Sequence, residues 1–548
     1  VASYTVCTFL THLEELHPPT SGPAVTGAAL STARLLKSLL SSAEIEVMEV
    51  FVPPSEFQRR DDMASIARLV LPPHRLGQGS LRFYPTHTAP DIWADGLERV
   101  LISSDTCHLA RDQYLRDQYA KGPMAIHCLT HGMGQPETIE SFRKVSSSRC
   151  DAISCLSTAC RETVRRKLDW FANGAELELA VVRNSVDLVR FAPADAAAKQ
   201  RARSLLGLPP DGVIALYFGR ITPASKSDLL PLLRQFAAVS GPNDHLVIAG
   251  VENQPGYLAK CREEATRLGI GSKVLTRGAV DHELSPLLYG AADLFVFPCD
   301  NIQETFANTV AEAMACGLPV LGSRWDGLRD LVSDGETGFL VPAYLMPGLE
   351  AVEEFYSATP LMDNYLLVSQ NTIVDEPMFG ALLRRLLLEP EMREQMGVAG
   401  RNRIEELCDW SVIKRELFEL WDRLLAYARA GGARPMSQSL SVPVRELFAE
   451  YGTLVDPTRF MIQISEQGEM IATGRASLQF YEPILSLIRS PVVDALFMMV
   501  RGGARMSLSG LAVEISQRTG VSPDVAYFHI AILVKRGALE LAETEPML

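Results

Sequence analysis

The sequence predicts an α/β protein: two Rossmann-like, doubly wound domains facing a cleft, followed by a small α+β domain. Three observations carry this reading. Short apolar runs of strand length alternate with segments of helix length from Tyr4 to Ala430. The stretch Ala291 to Val320 holds a full strand, loop, helix and Gly-Leu-Pro stop of the kind such domains repeat. Gly431 to Ser437 is a linker by composition and sets the C-terminal residues apart. The resulting domains are 1–195, 196–430 and 437–548.

A chain of 548 residues has room for more than two ordinary domains and ample buried core. Its 47% hydrophobic and 22% charged residues are those of a soluble globular protein. A net charge of −14 argues against nucleic acid, whose binders carry a basic footprint, but leaves room for a local phosphate pocket. No run reaches the length of a membrane span, and no charged n-region followed by an apolar h-region is read at the N-terminus. The ten cysteines are scattered; Cys150, Cys155 and Cys160 are evenly spaced but lack C-x2-C metal geometry. Free buried thiols in a reducing cytoplasm are the expectation.

In the first half, Tyr4 to Leu10 and Ile45 to Val52 read as strands, with a helix from about Ala28 to Leu40 between them. Gly27 stands at the turn before that helix, where it permits close backbone approach or serves as a plain loop glycine. Residues Ser55 to Ile92 show no clear pattern and receive no function. Val100 to Ser103 and Met124 to Leu129 are further strands, running into His108 and His131. Carboxyl ends of parallel strands face the ligand crevice, so both histidines are placed to act, while His127 lies inside its strand as a core residue. Ala152 to Leu156 is the next strand, and Ser157-Thr158 caps the helix that follows.

In the second half, the continuous apolar strand Ile214 to Phe218 ends at Gly219-Arg220, and Lys226 follows before a helix from Asp228 to Val239. A fixed guanidinium fork and a mobile ammonium at a strand-to-helix turn suit a diphosphate; the alternative is a solvated surface pair. His245 to Gly250 and Val274 to Arg277 are strands, and His282 to Tyr289 is a helix. Next comes ETFANTVAEAMACGLPV, Glu304 to Val320, with a helix opening at about Thr305 and closed by Gly317. Free N–H groups at that helix start make an anion site. Glu304 sits in the loop and Glu312 about two turns deeper, placed to grip hydroxyls flanking a bound diphosphate. Taken alone, the two acids are equally consistent with a solvated βαβ unit. From Pro342 to Phe379 the pattern is interrupted, where a helix-like stretch and Leu361 to Asp375 look inserted before a helix at Gly380 to Leu388, and two long helices, Glu391 to Cys408 and Trp410 to Ala430, close the region.

The Glu304–Glu312 spacing resembles the E-x7-E signature of the retaining glycosyltransferases of family 4 (glycosyl transferases group 1), which have the two-domain GT-B fold. That resemblance implies roles. Glu304 and the backbone after it hold the donor sugar, Glu312 holds the ribose, and Phe306, Ala307, Asn308 and Thr309 offer amides to sugar and phosphate. Arg220 and Lys226 stand where the family has G-R…K-G, with a spacer one residue longer and Ser227 in place of glycine. His131-Gly132 resembles the His-Gly that ends a central strand near the reacting sugar. Arg277 to Asp281 would rim the base through backbone atoms, and Gly250 and the Gly27 loop complete the donor-binding set. Asn184-Ser185-Val186-Asp187 resembles the family's N-G-V-D boundary motif, with Ser185 where glycine is usual. The final helix would cross back onto the first domain.

Residues 491–500, 507–520 and 522–535 read as three helices and Gly537 to Leu541 as a strand, a spacing that resembles a winged helix. Its acidic balance disfavours DNA, leaving peptide recognition or a packing role open. The expected function is a nucleotide-sugar-dependent, retaining glycosyltransferase needing no cofactor or metal, since no Asp-x-Asp motif stands in a suitable loop. Its acceptor hydroxyl would be carried by a peptide, protein or natural product. The rival is a sugar-nucleotide sensor acting through the winged helix.

Overall fold

The computed structural model describes residues 3–18, 27–132, 136–172, 175–346, 361–431, 456–481, 485, 487–501 and 504–543. The chain forms two compact units, 1–52 with 61–439, and 53–60 with 440–548. The first unit contains both doubly wound domains.

Its first sheet has seven parallel strands: β1 (Tyr4–Phe9), β2 (Ile45–Val52), β3 (Leu81–Pro85), β4 (Arg99–Ser103), β5 (Met124–Leu129), β6 (Asp151–Cys155) and β7 (Glu178–Val181). Their order is β3-β2-β1-β4-β5-β6-β7. Every residue of β4, β5 and β6 is buried, which is why they read as continuous apolar runs. The order reverses between β1 and β4, and ligands of such sheets sit at that crevice. Helices α1 (Gly27–Leu40), α2 (Arg60–Val70), α3 (Leu109–Tyr119), α4 (Pro136–Lys144) and α5 (Thr158–Phe171) connect the strands. The stretch that lacked a pattern supplies α2 and β3. As the edge strand, β3 buries only Pro85 fully, so no apolar run marks it.

The second domain opens with α6 (Ala196–Leu205), capped by Asp195. Its parallel sheet comprises β8 (Ile214–Phe218), β9 (His245–Ala249), β10 (Val274–Arg277), β11 (Leu294–Phe297), β12 (Val320–Ser323) and β13 (Gly338–Val341), in the order β10-β9-β8-β11-β12-β13. Between them lie α7 (Leu229–Val239), α8 (Tyr257–Arg267), α9 (Ser285–Ala291) and α10 (Asn308–Ala315). The expected insertion is an antiparallel pair, β14 (Ala343–Leu345) and β15 (Thr372–Val374), with α11 (Leu361–Gln370) ahead of β15. Residues 347–360 lie outside the described residues. Helices α12 (Glu376–Leu388), α13 (Pro390–Cys408) and α14 (Trp410–Arg429) follow.

Helix α14 returns to the first domain, as expected. The buried indole of Trp421 donates to His127 Nδ1 at 3.1 Å, Tyr4 donates to Asp422 at 2.8 Å, and Lys414 pairs with Glu44 at 3.0 Å. His127 is accordingly a core residue, and burial pushes its pKa down to about 4.

In the second unit, β16 (Phe460–Ile464), α15 (Glu466–Ala472), α16 (Ser490–Val500), β17 (Met506–Ser507), α17 (Leu508–Thr519), α18 (Pro523–Lys535) and β18 (Leu539–Glu543) enclose a core of Leu496, Leu511, Ile515, Ile530 and Leu533. Ser507 and Ser522 cap α17 and α18. The three helices lie where the sequence places them. The three-stranded antiparallel sheet, β17-β16-β18, takes its central strand from upstream, where neither β16 nor α15 was expected. The linker residues 432–437 lie outside the described residues. Among the described residues no helix is long and apolar enough to cross a membrane, and all ten cysteines are free thiols.

Candidate functional site

The candidate site forms where β8 and β11 end and α10 begins. Backbones crowd together at the strand ends: a Cβ on Gly250 (φ +140°) would lie 1.7 Å from the Gly219 carbonyl oxygen, so only glycine fits there. Gly250 N–H is shared between the carbonyls of Arg277 and Gly278, both at 3.3 Å. The Arg277 side chain turns away from the crevice. Its guanidinium donates to the carbonyls of Leu206 and Gly207 at the end of α6, which leaves only its backbone at the rim.

The helix expected from Thr305 starts three residues later, at Asn308. Ala307 precedes it in the left-handed conformation (φ 69°, ψ 66°), which a helix cannot contain. This kink turns the chain so that Glu304 caps its own loop: one carboxylate oxygen accepts from Ala307 N–H at 2.6 Å and Phe306 N–H at 3.3 Å. The other accepts from Lys226 Nζ at 2.5 Å. Burial opposes the charge on Glu304, but Lys226 and the two amides outweigh it and hold the carboxyl below its usual range. Arg220 donates to Gln303 Oε1 at 2.6 Å, and its own carbonyl accepts from Tyr217 OH at 3.0 Å. Burial lowers the Arg220 pKa, with Glu304 acting in the opposite direction, yet a guanidinium stays charged. Arg220, Lys226 and Glu304 thus meet at one mouth.

Glu312 lies buried in the second turn of α10, held from both sides. Tyr289 OH donates to it at 3.0 Å, and Arg34, from α1 of the first domain, donates to its other oxygen at 3.2 Å. Asn308 also reaches across, donating to Ser31 at 3.1 Å and accepting from Asn184 at 3.0 Å. Thr309 occupies the first turn of α10 beside it. His131 closes the crevice from β5. Its Nε2 bonds Thr32 at 2.8 Å, and its carbonyl accepts from Thr305 at 3.4 Å. Desolvation lowers its pKa, which favours the neutral imidazole.

The structure therefore brings Glu304, Glu312, Arg220, Lys226, His131 and residues 306–309 to one crevice. His108 is elsewhere engaged, with Ser104 at 3.1 Å from its Nδ1. Gly27 is the first residue of α1, and the loop before it, 19–26, lies outside the described residues. Sequence reading missed Arg34 and Tyr289, which hold Glu312, and Gln303, which holds Arg220. Nothing local marks them, since Arg34 meets its partner from 278 positions away.

Residues 198–358 match the family described as Glycosyl transferases group 1. Among curated relatives, a D-inositol 3-phosphate glycosyltransferase of Thermomonospora curvata is 30% identical over 253 residues, covering 44% of this chain and 51% of that protein. One of Streptomyces avermitilis is 40% identical over 175 residues, covering 30% and 36%. The chain thus spans about half, or less, of the relatives' length. Among solved structures, sucrose-phosphate synthase of Thermosynechococcus elongatus aligns at a TM-score of 0.52 with 20% identity, over 77% of this chain and 99% of that one. HepE of Anabaena in complex with UDP aligns at 0.53 with 15% identity, over 76% and 99%. These likenesses show the fold: the two parallel-sheet domains are those of GT-B glycosyltransferases.

Proposed function

We propose that the chain is a retaining glycosyltransferase that takes a sugar from a nucleotide diphosphate. The observation carrying this is the convergence of Arg220 on Gln303 and of Lys226 on the adjacent Glu304, with Glu312 fixed in the second turn of α10, inside the segment that matches the transferase family. Lys226 has three donors and gives one to Glu304, leaving two for a phosphate. Arg220 supplies a second cation, and the first amides of α10 a third anion ligand.

Glu304, ionised and held by its own loop, accepts hydroxyls of the donor sugar, and Glu312 accepts those of the ribose. The acceptor oxygen attacks the anomeric carbon on the face from which the diphosphate leaves. The bond from carbon to phosphate oxygen breaks, its electron pair stays on that oxygen, and the acceptor proton passes to the same phosphate. Negative charge grows on the diphosphate between Arg220 and Lys226, where fixed positive charge stabilises it without a metal. Neutral His131 orients the sugar.

A uridine-diphosphate sugar is the first donor to test, since HepE has this fold and was solved with UDP and UDP-glucose. The relatives' names support a small polyol phosphate as acceptor and lend nothing to a peptide acceptor or to a sensor. The three helices and short antiparallel sheet of the second unit support the winged-helix reading of that unit.

The test is transfer from a panel of UDP- and GDP-sugars to inositol phosphates, with the anomeric configuration of the product read by NMR. Glu312→Gln should weaken binding of free UDP and of donor alike, whereas Glu304→Gln should spare free UDP and lose turnover. No transfer from any donor, or unaltered UDP binding in Glu312→Gln, overturns the reading.

A further inference from the structure

At the crevice, one face of α1 meets one face of α10. Ser31 and Arg34 stand three positions apart on α1, and Asn308 and Glu312 four apart on α10, spacings that put each pair on a single helix face. The faces match. Asn308 donates to Ser31 Oγ at 3.1 Å, and Arg34 donates to Glu312 at 3.2 Å. Asn184, between the two domains in sequence, ties the first contact by donating to Ser31 at 3.2 Å and to Asn308 at 3.0 Å. The other terminal nitrogen of Arg34 donates to the Ser185 carbonyl at 2.8 Å, which fixes the guanidinium.

Glu312 has reason to need this contact. Its side chain is 5% exposed, and a buried carboxylate is costly without a counter-charge. Tyr289 of α9 supplies only a neutral donor, at 3.0 Å. Burial, with Glu312 alongside, pushes that phenol well above its usual range, so it keeps its proton. The positive charge comes from Arg34, on the other domain.

These contacts brace the carboxylate without filling it. Tyr289 and Arg34 bond different oxygens of Glu312, and each oxygen has a second lone pair. Two acceptor places are left, which is what a vicinal diol requires. Opening the crevice would carry α1 and Arg34 away and leave Glu312 with Tyr289.

We propose, on the reading of Glu312 given above, that Arg34 is a positioning residue for the nucleotide: it acts from the first domain, through Glu312, on a ribose bound to the second. Nucleotide affinity and closure of the crevice are then linked, since each favours the arrangement in which Arg34 meets Glu312.

The experiment is calorimetric titration of the full chain and its variants with UDP and, separately, with inorganic pyrophosphate, which has no ribose. Arg34→Ala should bind UDP at least about fivefold more weakly, the lower end of coupling between sites, and should bind pyrophosphate like the parent. Arg34→Lys keeps a charge but lacks the fork that spans Ser185 and Glu312, so its UDP affinity should fall between the two. Adding Arg34→Ala to Glu312→Gln should weaken UDP no further, because the group through which Arg34 acts is already altered. Thermal melting establishes that each variant is folded, and Arg34→Gln takes the place of Arg34→Ala if the latter is not. UDP binding in Arg34→Ala as tight as in the parent, or tighter, overturns the proposal while leaving Glu312 its role. So do equal losses for UDP and pyrophosphate, or additive losses in the double variant. Undiminished UDP binding in Glu312→Gln, or none in the parent, overturns both.

Discussion

Ala307 shows how one residue sets the geometry of the crevice. An L-residue in the left-handed region costs about 1–2 kcal/mol, and here that cost turns the Phe306 and Ala307 amides onto Glu304. Glycine takes this conformation freely, although it adds backbone entropy to the unfolded chain. Ala307→Gly should therefore leave stability unchanged or raise it by about 1 kcal/mol, where the same change inside a helix lowers it by that amount. Urea unfolding of the pair gives the sign, and a loss of stability would contradict the strain argument. The two glutamates were legible because their spacing is local. Their partners were not: Lys226 reaches Glu304 across 78 positions, and Arg34 reaches Glu312 from the other domain. Arg277 keeps its backbone at the rim, and the carbonyls that capture its side chain lie at the end of a separate helix, beyond the reach of a local reading.

At the scale of elements, buried strands were read nearly to the residue, since burial on both faces leaves an unbroken apolar run. Edge strand β3 escaped because it is only partly covered, and β16 because its pairing with β18 lies 75 or more positions ahead. The start of α10 was misplaced by three residues, as the left-handed Ala307 gives no sign in composition. Caps fared better, and α5 rests on one. Ser157 Oγ accepts from Cys160 N–H at 2.9 Å and donates to Asp326 of the second domain. Ser157→Ala should cost about 1 kcal/mol for the cap and a further 1–3 kcal/mol or so for the carboxyl it orphans. Ser157→Thr, which keeps the hydroxyl, should recover most of both. Chemical denaturation of the two variants decides it, and equal stabilities would remove Ser157 from this role.

Across the whole first unit, α14 ties the two domains together on one side and polar contacts join them at the crevice. Asp330 accepts from Thr158 N–H at 2.8 Å and its hydroxyl at 2.6 Å, and Arg183 stands 3.5 Å from the same carboxylate. Asp326, with φ of 31°, is half-buried beside Ser157. Burial pushes its pKa up from 3.8 to about 8; the Ser157 hydroxyl works against this, while Cys160, Glu304 and Asp330 add to it. The sign follows from linkage. With the pKa raised in the closed form, that form binds more protons than the solvated one between pH 3.8 and about 8. The contribution of Asp326 to closure is thus complete at low pH, declines as pH rises, and is gone above about 8. Opening the crevice returns the carboxylate to water, so domain separation relieves it at less cost than unfolding. The radius of gyration from small-angle scattering should therefore increase as pH rises from 3.8 to about 8 and change no further above it. Asp326→Asn retains an acceptor for Ser157 and nothing to titrate, so its radius should stay at the compact value throughout. A variant that expands along with the parent, or a parent that does not expand, would show that some other group governs the crevice.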